Sequence, residues 1–418
     1  MPWSRRLFSA CTAVTHPQFT LRNRQFPRGV SVLEVLISIG VATIGLLGVI
    51  LLIPLADHQV NRGFVLERAN QVGKNAFREF EIMGMNNPAN WRLYNTATGT
   101  YSALPTSDGV GFTKVENVGG QPIPYRRAFA IDPRFIANFL TGTAAEQAAA
   151  RAFPYNGVRQ MPRLTLPSGL PNSVMGLRQA DAVFVSEDDL VFRRPNDDRT
   201  LPPIQLDAEG EDWVADPNIS PPAGAESRLV RQAQGRFSWM ATLVPQEKFG
   251  SDSLLGDLYV LSIVVFHQRD GALAMNAENE RSVRISYNPP TYNGFVSAGV
   301  GGGDVALVAG DTSTMSRSEA ETTLDVGAGD WVLLTPIAAG IPTDVGDKWS
   351  WYRVVAADSD IHVTTTGDTH APADSYARFV TLEGPDWPPR ETQVTIVKNV
   401  VAVFEKTIRL ETSSLWTN

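Results

Sequence analysis

The side chains able to carry chemistry in this 418-residue chain are few and do not converge. Glu187-Asp188-Asp189 and Asp197-Asp198 offer paired carboxylates for acid–base work or a hard cation. Both lie in turn-like surroundings, where a charge run is ordinarily a solvated loop, and neither has calcium-loop spacing. The five histidines (His16, His58, His267, His362, His370) are scattered, and the eight-residue gap between His362 and His370 suits no helical or finger-type metal set. The single cysteine, Cys11, excludes an intrachain disulfide and a thiolate metal site. Gly73-Lys74 lacks the glycine a phosphate-binding loop needs five places earlier, where Arg68 stands, and neither GxSxG nor HExxH occurs. The sequence therefore assigns no catalytic residue, no metal and no cofactor; a noncatalytic role is expected.

One charge remains unusual. Glu34 is the only charged residue in Val30–Ala56 (VSVLEVLISIGVATIGLLGVILLIPLA), and 22 uncharged, mostly apolar residues follow it. A bilayer core needs about 20 such residues as a helix, so residues 30–56 are expected to cross a membrane. A carboxylate at the centre of such a span costs about 2.5–3.5 kcal/mol, less near its end. Arg5, Arg6, Arg22, Arg24 and Arg28 precede the run and Asp57 follows it, which puts the N-terminus in the cytoplasm. The expected localisation is thus the inner membrane, single-pass, with a periplasmic head.

The stretch Arg28-Gly29-Val30-Ser31-Val32-Leu33-Glu34 resembles the prepilin cleavage and methylation motif of type IV pilins and pseudopilins. Ile44–Gly48 (IGLLG) is similar to minor pilins of the pilus-modification type. The likeness covers about residues 28–85. It implies cleavage between Gly29 and Val30 by a membrane aspartyl prepilin peptidase, which also N-methylates Val30. It implies too that Glu34, then the fifth residue, pairs with the amine of an adjacent subunit and sets fibre register. Val30 stands where the family usually has Phe, and the 29-residue leader is long. The implied partners are the prepilin peptidase/methyltransferase, other pilin or pseudopilin subunits and inner-membrane lipid. Whether the fibre belongs to a type IV pilus or a type II secretion system stays open. So does the alternative of a signal-anchored envelope protein with a polymer-binding or catalytic β-rich ectodomain. Pro54 marks either a helix kink or a helix end.

Beyond Pro54 an apolar stripe of Val60, Phe64, Val72, Ala76, Phe80 and Met83 keeps helical spacing up to a stop at Gly84. The expected organisation is a basic leader 1–29, a helix 30–85, a head 86–298 with a loop-rich insertion over 86–180, and a β domain 304–411. A short helix is expected over Thr143–Ala152, and a tight hairpin of Val183–Val185 with Leu190–Phe192. Strands are expected at Phe237–Leu243, at Leu258–His267 (apolar on both faces, hence central), at Val283–Tyr287 and, as a single run, at Gln393–Phe404. The fold class expected is α+β: a long transmembrane N-terminal helix packed on an antiparallel pilin-like sheet, with a small C-terminal all-β barrel or sandwich. Trp331, Trp349, Trp351 and Trp387 read as barrel packing rather than as a sugar-stacking platform. Five of the 36 basic residues sit in the leader, so the rest carries 31 basic against 44 acidic, a net of −13. That charge argues against nucleic acid as a partner.

Overall fold

The computed structural model describes residues 32–118, 121–155, 157–169, 173–186, 190–193, 204–206, 212–214, 230–233, 236–246, 258–269, 279–285, 302–337, 347–364, 373–387 and 392–411. The chain divides into two units, Met1–Asn61 and Arg62–Asn418. Helix α1 (Val32–Ile82) begins in the first and ends in the second. Its stop is local chemistry. Gly84 takes φ +60, and the Met85 N–H donates to Phe80 O at 3.0 Å, the left-handed glycine cap that closes a helix end.

In chain order the second unit continues with a 3-10 turn at Pro88–Asn90, then β1 (Leu93–Asn95), β2 (Thr100–Ser102), β3 (Thr113–Val118) and β4 (Gln121–Arg126). Next come β5 (Phe129–Ile131), α2 (Pro133–Ala137), α3 (Ala144–Ala150), β6 (Ala152–Phe153), β7 (Met161–Leu164) and α4 (Leu177–Phe184). Four short strands follow: β8 (Leu190–Arg193), β9 (Ile204–Leu206), β10 (Asp212–Val214) and β11 (Val230–Ala233). Then come β12 (Phe237–Pro245), β13 (Leu258–His267), β14 (Glu280–Ile285), β15 (Gly302–Asp311), α5 (Arg317–Thr323), β16 (Trp331–Pro336) and β17 (Ser350–Ala357). The last are β18 (His362–Val363), β19 (Ser375–Glu383), β20 (Thr392–Val397) and β21 (Val400–Arg409).

Two sheets organise this unit. The first runs β21-β13-β12-β5-β7-β6, antiparallel except for the parallel pair β5–β7. The second runs β15-β14-β20-β16-β17-β19 and closes through β19–β15 into a six-stranded barrel, with β18 paired outside β19. The period-2 alternation of strands decides how they meet. Trp239, Ala241 and Leu243 of β12 and Leu261, Ile263 and Val265 of β13 face Ala69, Val72, Ala76 and Phe80 of α1. Met240, Val244, Val264 and Phe266, on the opposite face, meet Leu333, Trp349, Trp351 and Val397 of the barrel side. Residues between those in sequence (Val332, Leu334, Tyr352, Ile396) point into the barrel core. The sheet is covered on both faces, which is why Leu258–His267 is apolar throughout.

Several expectations are corrected. The fold class is not that of a transmembrane helix on a pilin-like antiparallel sheet with a β domain appended. Strand dominates, the central sheet is mixed, and the closed barrel forms its second cover. The barrel also draws β14 from before the glycine-rich Gly299–Gly303 stretch, and Gly302 and Gly303 lie within β15. Inner-membrane, single-pass localisation is not supported: among the described residues no helix is long and apolar enough to cross a membrane.

Smaller corrections follow the same logic. Residues 86–180 are not a loop-rich insertion; they supply β5, β6 and β7, too short to show alternation. Val183 lies in α4, where Ala180 and Phe184 are buried one turn apart, and Leu190–Arg193 pairs with β11, so the hairpin is absent. The Gln393–Phe404 run is two strands in two sheets. It breaks at Lys398-Asn399, where Asn399 takes φ +65. The short helix expected at Thr143 is α3, closed by a reciprocal Thr143–Glu146 capping box.

Candidate functional site

Gly29 and Val30, the expected cleavage and methylation positions, lie outside the described residues. Glu34 occupies the first turn of α1, where the unpaired N–H groups of a helix start favour an acid. Around it, Val32, Leu33, Leu36, Ile37, Ile39, Val41, Ile44, Leu46 and Leu47 are each more than half exposed. The two hydroxyls in this segment turn back on the helix. Ser38 Oγ donates to Glu34 O and Thr43 Oγ1 to Ile39 O, each at 2.7 Å. With both hydroxyl hydrogens spent within the helix, the segment presents a mostly apolar surface with one carboxylate at its N-terminal end. Contiguous apolar exposure on this scale marks an interaction surface. Alpha helix α1 passes through Pro54 without ending there.

The expected packing stripe shifts. Val60 and Phe64 are exposed, with the Arg68 guanidinium 5.4 Å from the Phe64 ring centroid. Contact with the core begins at half-buried Val65, and full burial at Ala69. Gly73 has its reason here: a Cβ on it would lie 2.3 Å from two ring carbons of Phe404 in β21, so only glycine admits this close approach. In the sequence Gly73 stood out only beside Lys74, as part of an incomplete phosphate-binding loop.

The buried charges were not foreseen. Arg163 of β7, in the apolar tetrapeptide Met161–Leu164, is fully buried, and its Nη2 donates to both carboxylate oxygens of Glu280 in β14 at 2.6 Å. Its guanidinium carbon sits 3.5 Å from the Phe135 ring centroid and 5.1 Å from that of Phe153. Asp132, which caps α2 through the Phe135 N–H, is also fully buried and takes two bonds from Arg269 at 3.0 and 2.6 Å. Burial alone would raise the Asp132 carboxyl. The Arg269 and Arg163 charges and the bonds from Arg269 and the Phe135 N–H outweigh it and hold the carboxyl below the ordinary carboxylate range. Glu280 Oε2 also accepts from the Tyr155 N–H at 2.9 Å, so one barrel carboxylate ties down two segments of the central sheet side. With Trp351 Nε1 donating to Thr242 Oγ1 at 3.2 Å, these bonds fix the barrel on the sheet.

No arrangement for acid–base or metal chemistry forms among the described residues. Glu187, Asp188, Asp189, Asp197 and Asp198 lie outside them, as do His16 and His370, and no group of three metal-type side chains is found. His362 pairs with Asp358 at 3.3 Å on the surface. Trp349, Trp351 and Trp387 are buried, the last bonding Thr392 Oγ1 at 2.9 Å. No family model, no curated protein and no solved structure matches this chain.

Proposed function

We propose that this chain is a noncatalytic structural subunit of pilin or pseudopilin type, assembled into a fibre of a type IV pilus or type II secretion system. Prepilin peptidase cuts after Gly29 and N-methylates Val30, and the helix from Val32 to Leu47 packs against the equivalent helices of other subunits. The observation that carries this reading is the exposed apolar helix with a single carboxylate, Glu34, in its first turn. A helix apolar on every side is stable in water only when something covers it. Similar helices would cover it, and the amine created at Val30 of one subunit would neutralise Glu34 of the next. A desolvated carboxylate left unpaired is costly, so that pairing selects one stagger among many. The alternative of a glycan-stacking β domain loses its platform, because three of the four candidate tryptophans are spent on packing. The test is mass spectrometry of the mature N-terminus: a methylated Val30 terminus is expected, and an intact Met1 terminus removes the reading.

A further inference from the structure

We propose that strand β21 pairs with the β21 strand of a second copy of this chain, edge to edge and antiparallel, about a two-fold axis at Thr407. This contact is separate from the helix packing of the fibre reading and does not require cleavage at Gly29. β21 ends its sheet, and among the described residues no strand pairs with its outer side. Which of its groups face outward follows from its neighbours. The Gln246 N–H donates to Leu258 O at 3.0 Å, so the even-numbered residues of β13 aim their backbone groups at β12. Tyr259, Leu261, Ile263 and Val265 therefore aim theirs at β21, and the 2.9 Å bond from the His267 N–H to Asn399 O keeps the same alternation. Their partners on β21 are Ile408, Lys406, Phe404 and Ala402. Val403, Glu405, Thr407 and Arg409 are left with N–H and C=O groups pointing away from the sheet. Such a row is a template for another strand.

Charge decides which strand fits. Glu405, Thr407 and Arg409 lie on one face of β21 and are exposed. Paired with itself in the opposite direction, that face sets Glu405 against Arg409 of the second copy, Thr407 against Thr407, and Arg409 against Glu405. Opposite charges and threonine pairs stabilise facing strands, and like charges destabilise them. Centring the pair on Glu405 or Lys406 would oppose like charges. Glu405 also lacks a counter-charge within its own chain. Burial raises its carboxyl above the ordinary value, against the bond it accepts from Ser262 Oγ at 3.1 Å. Lys406 is drawn to the other face, where its Nζ meets Glu81 of α1 at 3.0 Å. The chain leaves the sheet after Arg409, with Leu410 buried in the core and the Glu411 N–H on Asn86 O, so the pairing spans Glu405–Arg409. A two-fold contact of this kind uses the same patch on both copies and closes at a dimer.

Disulfide trapping reads the register in the full chain, in mild detergent, with the single native cysteine removed by Cys11→Ser. Residues facing each other on the axis have Cα atoms about 5.5 Å apart, within the roughly 4.4–6.8 Å that a disulfide spans. Thr407→Cys is therefore expected to give a covalent dimer under mild oxidation. Val403→Cys, on the same edge but about 27 Å from its counterpart, is expected to stay monomeric. Adding Arg409→Glu to Thr407→Cys opposes carboxylates on both sides of the axis, and the trapped fraction is expected to fall at least about tenfold. Adding Glu405→Arg as well exchanges the charges and restores the match, so the yield is expected to return, which separates lost pairing from misfolding. Absence of the Thr407→Cys dimer, equal trapping at Val403→Cys, or a yield indifferent to Arg409→Glu overturns the proposal.

Discussion

Arg163 and Glu280, 117 residues apart, meet through one guanidinium nitrogen and two carboxylate oxygens at 2.6 Å, with side-chain exposures of 0% and 4%. The pair crosses the junction between central sheet and barrel, so its loss reports on how the two are held. Removing one partner of a buried pair leaves the other charge uncompensated, which costs about 3–5 kcal/mol, whereas replacing both with apolar groups is often neutral. Glu280→Ala is therefore expected to destabilise by about that amount, and Arg163→Met with Glu280→Leu to recover most of it. Urea unfolding of the three variants decides. A Glu280→Ala cost below about 1 kcal/mol would show that the junction rests on packing alone.

Asp132 makes the same network pH-dependent. Its folded carboxyl titrates below the unfolded value of about 3.9, held there by Arg269 and Arg163 against the effect of burial. The folded state thus binds this proton less readily than the unfolded chain. Asp132 contributes its full stabilisation above about pH 4–5 and loses it as pH falls through the lower folded value. Urea midpoints measured from pH 6 down to pH 3 are expected to drop more steeply for the natural chain than for Asp132→Asn, with the gap between them narrowing at low pH. Parallel curves would remove Asp132 from the acid response.

How much could be read beforehand follows from interaction range. Local signals held: Gly84 as a stop, a short helix starting at Thr143, and Leu258–His267 as a strand covered on both sides. Each is written within about ten residues. The exposed Glu34 stood out because a single charge in an apolar run is visible in one dimension. What failed was long-range. Strands of two to four residues such as β5, β6 and β7 carry no usable period, and the Lys398-Asn399 break redirects a continuous apolar run into another sheet. The covering of that sheet by the barrel is invisible to any local pattern. Arg163 did leave a trace, an arginine enclosed in Met161–Leu164, but nothing in sequence pointed to Glu280 as its counter-charge.

Gly73 separates helix propensity from packing. Gly73→Ala would gain up to about 1 kcal/mol of helix propensity. Its methyl, however, would sit 2.3 Å from the Phe404 ring, and overpacking of that kind costs about 1–3 kcal/mol. Net destabilisation is expected. On the same helix Gly63 has nothing within 4 Å of an added Cβ, so Gly63→Ala is expected to stabilise by about 0.5–1 kcal/mol. Phe404→Leu in the Gly73→Ala background should recover part of the loss. If both alanine variants shift the urea midpoint equally and upward, the close approach of α1 to β21 is wrong.

Glu34 tests the assembly reading itself. It sits on an exposed stretch, so Glu34→Ala should leave the head's unfolding free energy in urea within about 0.5 kcal/mol of the natural chain, as surface changes usually do, and its near-ultraviolet circular dichroism unchanged. Incorporation into fibres should nevertheless be lost, because the amine at Val30 of the neighbouring subunit would be buried without its counter-charge. Glu34→Gln should fail in the same way, since it keeps the size and hydrogen-bonding capacity but not the charge. Glu34→Asp should assemble at a reduced level, the charge being kept one methylene shorter. Immunoblots of sheared fibre fractions against whole-cell content give the ratio for each variant. Wild-type ratios for both Glu34→Ala and Glu34→Gln would mean that apolar packing of Val32–Leu47 sets the stagger without any ion pair.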